Sequence, residues 1–91
     1  MAIEKIKHII IPILKKYGIN RAGIFGRNTN SEKSDVDILV ELKPEFSLFD
    51  FVRIKLELED VLHKKVDLVE YKSLKPRLKE RILAEEIRIY G

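Results

Sequence analysis

The chain has 91 residues, of which 45% are hydrophobic and 36% charged, and its formal net charge is +3. These values predict one small soluble domain spanning residues 1–91, and the absence of cysteine excludes disulfides, cysteine-ligated zinc and thiol catalysis. No stretch approaches the roughly 18 to 20 apolar residues of a membrane span, and no signal-peptide pattern opens the chain, so we expect a cytoplasmic protein without a membrane partner.

The N-terminal segment is predicted to be helical. Its apolar residues recur at helical spacing: Ile3, Ile6, Ile10, Ile13, Leu14 and Tyr17. Gly18 ends this pattern, and Pro12 inside it predicts a kink or two short helices. Ile9 and Ile11 add more apolar surface than one buried stripe needs, which favours a contact with a second copy of the chain or with another protein.

Two strands are predicted next, over residues 21–25 and 35–42. In the second strand, alternation places Val36, Ile38, Val40 and Leu42 on one face and Asp35, Asp37, Leu39 and Glu41 on the other. Pro44 ends that strand. Glu41 lies far along it from the aspartates and is interpreted as a solvated surface residue.

A helix, a third strand and a last helix complete the predicted order. Ser47 opens the first of these helices, with Asp50 forming a capping box, and the helix runs to about His63. Its buried stripe is predicted to be Leu48, Phe51, Leu58 and Leu62. The third strand covers residues 65–71, and Pro76 suits the first turn of the last helix. The apolar band of that helix is Leu78, Ile82, Leu83, Ile87, Ile89 and Tyr90. The order α-β-β-α-β-α predicts an α/β or α+β fold, a small mixed sheet of three strands with helices packed on it.

Three aspartates indicate the chemistry that this sequence could support. Asp35 and Asp37 are two residues apart on a strand, so both side chains emerge on one face, where like charges raise a pKa or recruit a cation. Asp67 has the same place in the third strand. If these strands run parallel, with the helix between them as crossover, their starts meet at one edge. Such a cluster suits Mg²⁺ and two-metal phosphoryl transfer; the alternative is that these acids merely face water.

The segments GIFGR, SDVDILVEL and VDLVEYKSLKPRLKERILAEEIRIYG together resemble the minimal nucleotidyltransferases, small members of the DNA-polymerase-β-like superfamily. Their pattern is a strand ending Phe-Gly-Ser, a loop, Ser-Asp-x-Asp and a third carboxylate on a later strand. The resemblance implies the minimal nucleotidyltransferase fold, two Mg²⁺ ions and ATP as substrate. It also implies that Asp35 and Asp37 hold metal, and that Asp67 is the third ligand and the base. Proteins of this kind are typically antitoxins that transfer AMP to a tyrosine of a HEPN-type ribonuclease.

The resemblance assigns nucleotide binding to Gly26, Arg27 and Ser34. Arg27 stands where the pattern has serine, in a shorter loop, and a guanidinium group can clamp phosphate. The resulting prediction is a Mg²⁺-dependent protein adenylyltransferase that neutralises a HEPN-type toxin. The alternative is a non-catalytic module of the same fold that neutralises its partner by steric capture. An RNA-binding domain is the weakest reading, because no interleaved aromatic residues line a strand face, and we expect no direct nucleic-acid binding.

Overall fold

The structure, a computed structural model, describes residues 3–25 and 36–90, which form three α-helices and four β-strands. In chain order these are α1 (Ile3–Lys16), β1 (Ala22–Phe25), β2 (Val36–Val40), α2 (Leu48–Leu62), β3 (Val66–Glu70), α3 (Pro76–Glu85) and β4 (Glu86–Tyr90), with a single 3₁₀ turn, Tyr71–Ser73, between β3 and α3. In this part of the chain no helix is long and apolar enough to cross a membrane.

The four strands form one mixed sheet in the order β3-β2-β1-β4. β1 is antiparallel to both of its neighbours, whereas β2 and β3 are parallel. A parallel pair needs a crossover connection, and α2 supplies it. The parallel arrangement of β2 and β3 is therefore present. The predicted proximity of the aspartates depends on this arrangement.

The hydrophobic core lies between one face of the sheet and helices α1 and α2. Its buried side chains alternate along the strands and recur along the helices: Ile6, Ile10, Leu14, Ala22, Ile24, Val36, Ile38, Val40, Ile54, Leu58, Leu62 and Val66 are among them. The connection from β2 to β3 through α2 and the connection from β3 to β4 through α3 run in opposite directions across the sheet. Connections between parallel strands are right-handed, so α3 lies on the face of the sheet opposite to α1 and α2. There it packs against β1.

Helix α1 differs from the prediction in two respects: its course at Pro12 and the burial of Ile9 and Ile11. It is a single helix that continues through Pro12, so the alternative of two short helices is wrong. Ile9 and Ile11 are half-buried rather than exposed, and Ile9 packs against the core. Gly18 follows the helix at φ 74°, the left-handed conformation that glycine adopts without strain.

Helix α2 begins as predicted, but its buried stripe is displaced. The hydroxyl of Ser47 accepts from the backbone N–H of Asp50, and the Asp50 carboxylate accepts from the backbone N–H of Ser47, which completes the capping box. The core side of the helix is formed by Ile54, Leu58 and Leu62. Leu48 is exposed instead of buried, because it lies in the first turn, about 80° around the helix from that stripe.

The last predicted helix ends at Glu85, and the residues after it form a strand, so the prediction of a helix to Tyr90 and of a three-strand sheet is wrong there. The apolar band fitted helical spacing, but Ile87 and Ile89 also alternate with Glu86 and Arg88 at the period of a strand. Antiparallel pairing with β1 selects the strand over the helix, because β4 forms backbone hydrogen bonds with the edge of β1 that β2 leaves unpaired.

Candidate active site

Asp37 and Asp67 lie opposite each other in the parallel β2–β3 pair. Neighbouring strands are about 4.8 Å apart, and residues that pair directly project to the same face of the sheet. Asp37 is half-buried and Asp67 is exposed. The face that carries them is the one turned away from α1 and α2, called the carboxylate face below. The structure thus brings together two of the three predicted carboxylates.

One hydrogen bond joins the start of β2 to the residue before β3, and another joins the start of β3 to a side chain of α2. The N–H of Val36 donates to the carbonyl oxygen of Lys65 at 2.9 Å, and the N–H of Val66 donates to Oε2 of Glu59, also at 2.9 Å. His63 ends α2 in the left-handed conformation, at φ 54°, which turns the chain sharply into β3. These contacts place Asp67 level with Asp37.

The remaining predicted site residues, Asp35, Gly26, Arg27 and Ser34, lie outside the described residues. Two carboxylates that share one face are the hard oxygen donors that Mg²⁺ prefers, so the donor set fits that ion. Within residues 3–25 and 36–90, no group of three histidine, cysteine, aspartate or glutamate side chains that could hold a metal is present. The remaining carboxylate of the predicted set is that of Asp35, two residues before Asp37 in the chain.

A buried polar cluster accompanies the aspartates on the carboxylate face. The side chain of Glu86 is only 3% exposed; its carboxylate accepts a hydrogen bond from the hydroxyl of Tyr71 and lies 3.6 Å from Nη2 of Arg88. The guanidinium of Arg21 stacks 4.1 Å from the centre of the Tyr71 ring. Burial, and then the bond to Glu86, raise the pKa of Tyr71. Through the hydrogen bond from Tyr71 to Glu86, the cluster joins the turn after β3 to the start of β4.

Gly23 makes room for this cluster. A Cβ atom at that position would overlap the carboxylate of Glu86, with its Cγ only 2.7 Å away. The sequence prediction missed Glu86 and Tyr71 as members of one cluster. A glycine inside a strand often marks the close approach of another group, so Gly23 was the signal available in the sequence.

A pocket of about 230 Å³ opens at the other end of the sheet from the aspartates. Glu41 and Tyr71, which follow the last residues of β2 and β3, line it together with Arg21. α3 contributes Lys79 and Leu83. Because Asp37 and Asp67 lie near the first residues of the same strands, this pocket and the carboxylate pair are separate features.

Curated relatives match nearly the whole chain. A protein of Methanocaldococcus jannaschii, named as a candidate protein adenylyltransferase, is 53% identical over 92 residues, which cover 98% of this chain and 99% of the relative. The protein adenylyltransferase MntA of Thermococcus cleftensis is 32% identical over 96 residues, covering 98% of this chain and 97% of the relative.

Solved structures and a protein-family description also match this chain. A candidate minimal nucleotidyltransferase superposes with a TM-score of 0.80 at 34% identity, over 96% of this chain and 95% of its own. A structure of a tri-AMPylated Shewanella oneidensis HEPN toxin in complex with an MNT antitoxin shares the fold, with a TM-score of 0.75 at 20% identity over 97% of this chain and 71% of that one. Residues 7–91 match the family described as Polymerase beta, Nucleotidyltransferase. The chain therefore belongs to that nucleotidyltransferase family and has the minimal nucleotidyltransferase fold.

Proposed function

We propose that this protein is a Mg²⁺-dependent adenylyltransferase that transfers AMP from ATP to a tyrosine of a HEPN-type toxin and thereby neutralises it. The observation that carries the proposal is the direct pairing of Asp37 with Asp67 on one sheet face. The names of the relatives support AMP transfer to a protein. The MNT–HEPN complex of the same fold supports the class of the partner.

The roles proposed for the aspartates are those that the family resemblance implies. Asp35 and Asp37 would hold divalent cations, with Asp67 as the third ligand. Bound ions at such a site neutralise the phosphate charge that develops during transfer. Asp67 is the exposed member of the described pair, so it is accessible to an incoming tyrosine hydroxyl and is assigned as the base.

The transfer itself is a single displacement at phosphorus. The tyrosine hydroxyl oxygen forms a bond to the α-phosphorus of ATP, and its proton passes to the Asp67 carboxylate. The bond from the α-phosphorus to the oxygen that bridges to the β-phosphate breaks, and that electron pair leaves with pyrophosphate. Gly26, Arg27 and Ser34 are assigned to hold the phosphates in line; such positioning can supply roughly 7 to 11 kcal/mol of the barrier.

The test is a mass measurement on the partner. Incubation of this protein with a HEPN-type toxin, ATP and Mg²⁺ is expected to add one or more AMP units to a tyrosine of the toxin, and omission of ATP should leave the toxin mass unchanged. Steric capture by a non-catalytic module predicts the reverse: the toxin mass stays constant with ATP, while a stoichiometric amount of this protein without ATP blocks the ribonuclease. That result would replace the proposal.

A further inference from the structure

The pocket of about 230 Å³ between α3 and the ends of β2 and β3 is called the α3 pocket below. Glu41 and Tyr71, which line it, follow Asp37 and Asp67 by four residues each. A strand rises about 3.3 Å per residue, so the α3 pocket lies about 13 Å from the carboxylate pair. A small molecule held in this pocket is therefore not a ligand of the proposed metal site.

Arg21 enters the α3 pocket from the sheet. Its guanidinium stacks 4.1 Å from the centre of the Tyr71 ring, which fixes the plane of the group. Its Nε atom is buried and has no hydrogen-bond partner among the described residues. Folded proteins satisfy almost all buried donors, because an unpaired one costs free energy. The Nε–H and a neighbouring Nη–H of a guanidinium form the planar fork that binds two oxygen atoms of a carboxylate or phosphate. The fork of Arg21 therefore has room for an anion.

Lys79 enters the same pocket from the helix. Lys79, Ile82 and Leu83 share one side of α3, because residues three and four apart are neighbours on a helix. Ile82 and Leu83 are half-buried, so this side faces the sheet, where an amphipathic helix ordinarily carries apolar residues. The ammonium of Lys79 forms no ion pair within residues 3–25 and 36–90. Two cations from different elements thus converge on one pocket, and neither has an acidic partner there.

The other charges of the α3 pocket do not neutralise these two cations. Lys72 and Glu70 also line it and pair with each other, at 3.4 Å. The buried carboxylate of Glu86 accepts from the hydroxyl of Tyr71. Glu41 is exposed, and its charge opposes an anion, but solvent and salt screen an exposed carboxylate strongly. With three cations and two carboxylates in the lining, the formal charge of the pocket is positive.

We propose that the α3 pocket binds a small oxyanion, a phosphate or carboxylate group, between Arg21 and Lys79. Two oxygen atoms of the anion accept hydrogen bonds from the fork of Arg21, and the ammonium of Lys79 contacts it from the other side. The anion then joins the sheet to α3. Because α3 has no buried residue of its own, it is held to the sheet by few contacts, and a bound anion stabilises it against local opening.

The first experiment follows the Nε–H resonance of Arg21 by ¹⁵N NMR of the full chain, with Arg21→Lys to assign it. Inorganic phosphate is titrated at constant ionic strength, without Mg²⁺ or ATP. The resonance should shift and saturate with a Kd in about the millimolar range. A parallel titration with acetate distinguishes a carboxylate from a phosphate ligand. A resonance that does not move with either anion, or that moves as much with sodium chloride, shows that water satisfies Nε and overturns the proposal.

The second experiment compares two lysine variants in the phosphate titration. Lys79→Gln should raise the Kd about tenfold, because it removes one charge-assisted contact. Lys75→Gln is the matched control: Lys75 is exposed one turn earlier and does not line the α3 pocket, so its Kd should be unchanged. Equal weakening in both variants would indicate attraction to the general surface charge and would overturn the proposal.

Hydrogen exchange measures the effect on α3. Saturating phosphate should slow amide exchange in residues 76–85 of the unsubstituted protein, and at the same concentration it should slow exchange much less in Lys79→Gln. Unchanged exchange in the unsubstituted protein would contradict the bridging role of the anion. These measurements contain neither Mg²⁺ nor ATP, so their outcome does not depend on whether the protein transfers AMP.

Discussion

Asp37 and Asp67 pair directly across two parallel strands, so their relative position depends on the register of β2 against β3. A slip of one residue would turn one of the two carboxylates into the hydrophobic core. The register is held by buried neighbours on the core side, where Val36 pairs with Val66 and Ile38 with Leu68. The packing that stabilises the fold is therefore the same packing that brings the two carboxylates together.

Divalent cations should stabilise the protein against heat. Binding of Mn²⁺ or Mg²⁺ relieves the repulsion between the aspartates, and at a free concentration one hundred times the Kd it adds about 2.7 kcal/mol to the free energy of unfolding. Asp35→Asn with Asp37→Asn should abolish the shift in melting temperature measured by calorimetry. Glu41→Gln is the control and should retain it. If the double variant gains as much from Mn²⁺ as the unsubstituted protein, the aspartates do not form the metal site.

Tyr71→Phe should weaken the fold and flatten its response to alkaline pH. The variant removes the hydroxyl that donates to the buried Glu86 carboxylate, which should cost about 1 to 3 kcal/mol of the free energy of unfolding at neutral pH. The pKa of Tyr71 is raised above its ordinary value of 10.0 in the folded protein, so the stability that its protonated form contributes is complete below pH 10 and is lost as pH rises above it.

Urea unfolding between pH 7 and pH 11 measures this effect. The unsubstituted protein should lose stability above pH 10 more steeply than Tyr71→Phe. Tyr17 and Tyr90 also have raised pKa values and are present in both proteins, so a residual slope is expected in the variant. Identical slopes would show that the pKa of Tyr71 is the same in the folded and unfolded states and does not affect stability.

Gly23→Ala should destabilise the protein through Glu86. The added methyl group collides with the buried carboxylate, and overpacking of this kind costs typically 1 to 3 kcal/mol. In a Glu86→Ala background the collision is absent, so the same substitution should cost much less. The double-mutant cycle measures the coupling, which should exceed about 0.5 kcal/mol. If the free-energy costs of the two substitutions are simply additive, the destabilisation by Gly23→Ala arises from another contact of β1 and not from Glu86.

Arg27→Ala should weaken ATP binding if the guanidinium replaces the serine of the family pattern in holding phosphate. Isothermal titration with ATP and Mg²⁺ should show a Kd raised by about tenfold or more, since charge-assisted hydrogen bonds contribute about 1.5 to 3 kcal/mol. Arg81→Ala on α3 is a control of the same charge, exposed to solvent. Equal affinity for Arg27→Ala and the unsubstituted protein would exclude Arg27 from the phosphate site.

Much of the fold is predictable because its signals are local. The periodicity of residues 3–17 and the capping box at Ser47 depend only on nearby residues, and the crossover through α2 makes a parallel β2–β3 pair the natural arrangement. From these features the sequence predicts that the starts of β2 and β3 meet at one edge if the two strands are parallel. The direct pairing of Asp37 with Asp67 is a finding of the structure, because it depends on the register between the two strands.

The features that the sequence did not reveal depend on non-local contacts. Ile87 and Ile89 fit a helix and a strand equally well, and pairing with β1 decides between them. Glu86 becomes buried only because Tyr71 and Gly23, far away in the chain, meet it in the folded sheet. The exposure of Leu48 likewise depends on which side of α2 the sheet covers, which periodicity alone does not determine for a helix that is apolar on two sides.

Transfer of AMP by Asp67→Asn tests the central claim most directly. The amide keeps the size of the side chain but can neither accept the tyrosine proton nor carry the charge of the third ligand. We predict that Asp67→Asn still forms the complex with the HEPN-type toxin, yet leaves the toxin mass unchanged after incubation with ATP and Mg²⁺, whereas the control Glu41→Gln adds AMP like the unsubstituted protein. Addition of AMP by Asp67→Asn at the unsubstituted rate would contradict the assignment of the Asp37–Asp67 pair as the catalytic centre.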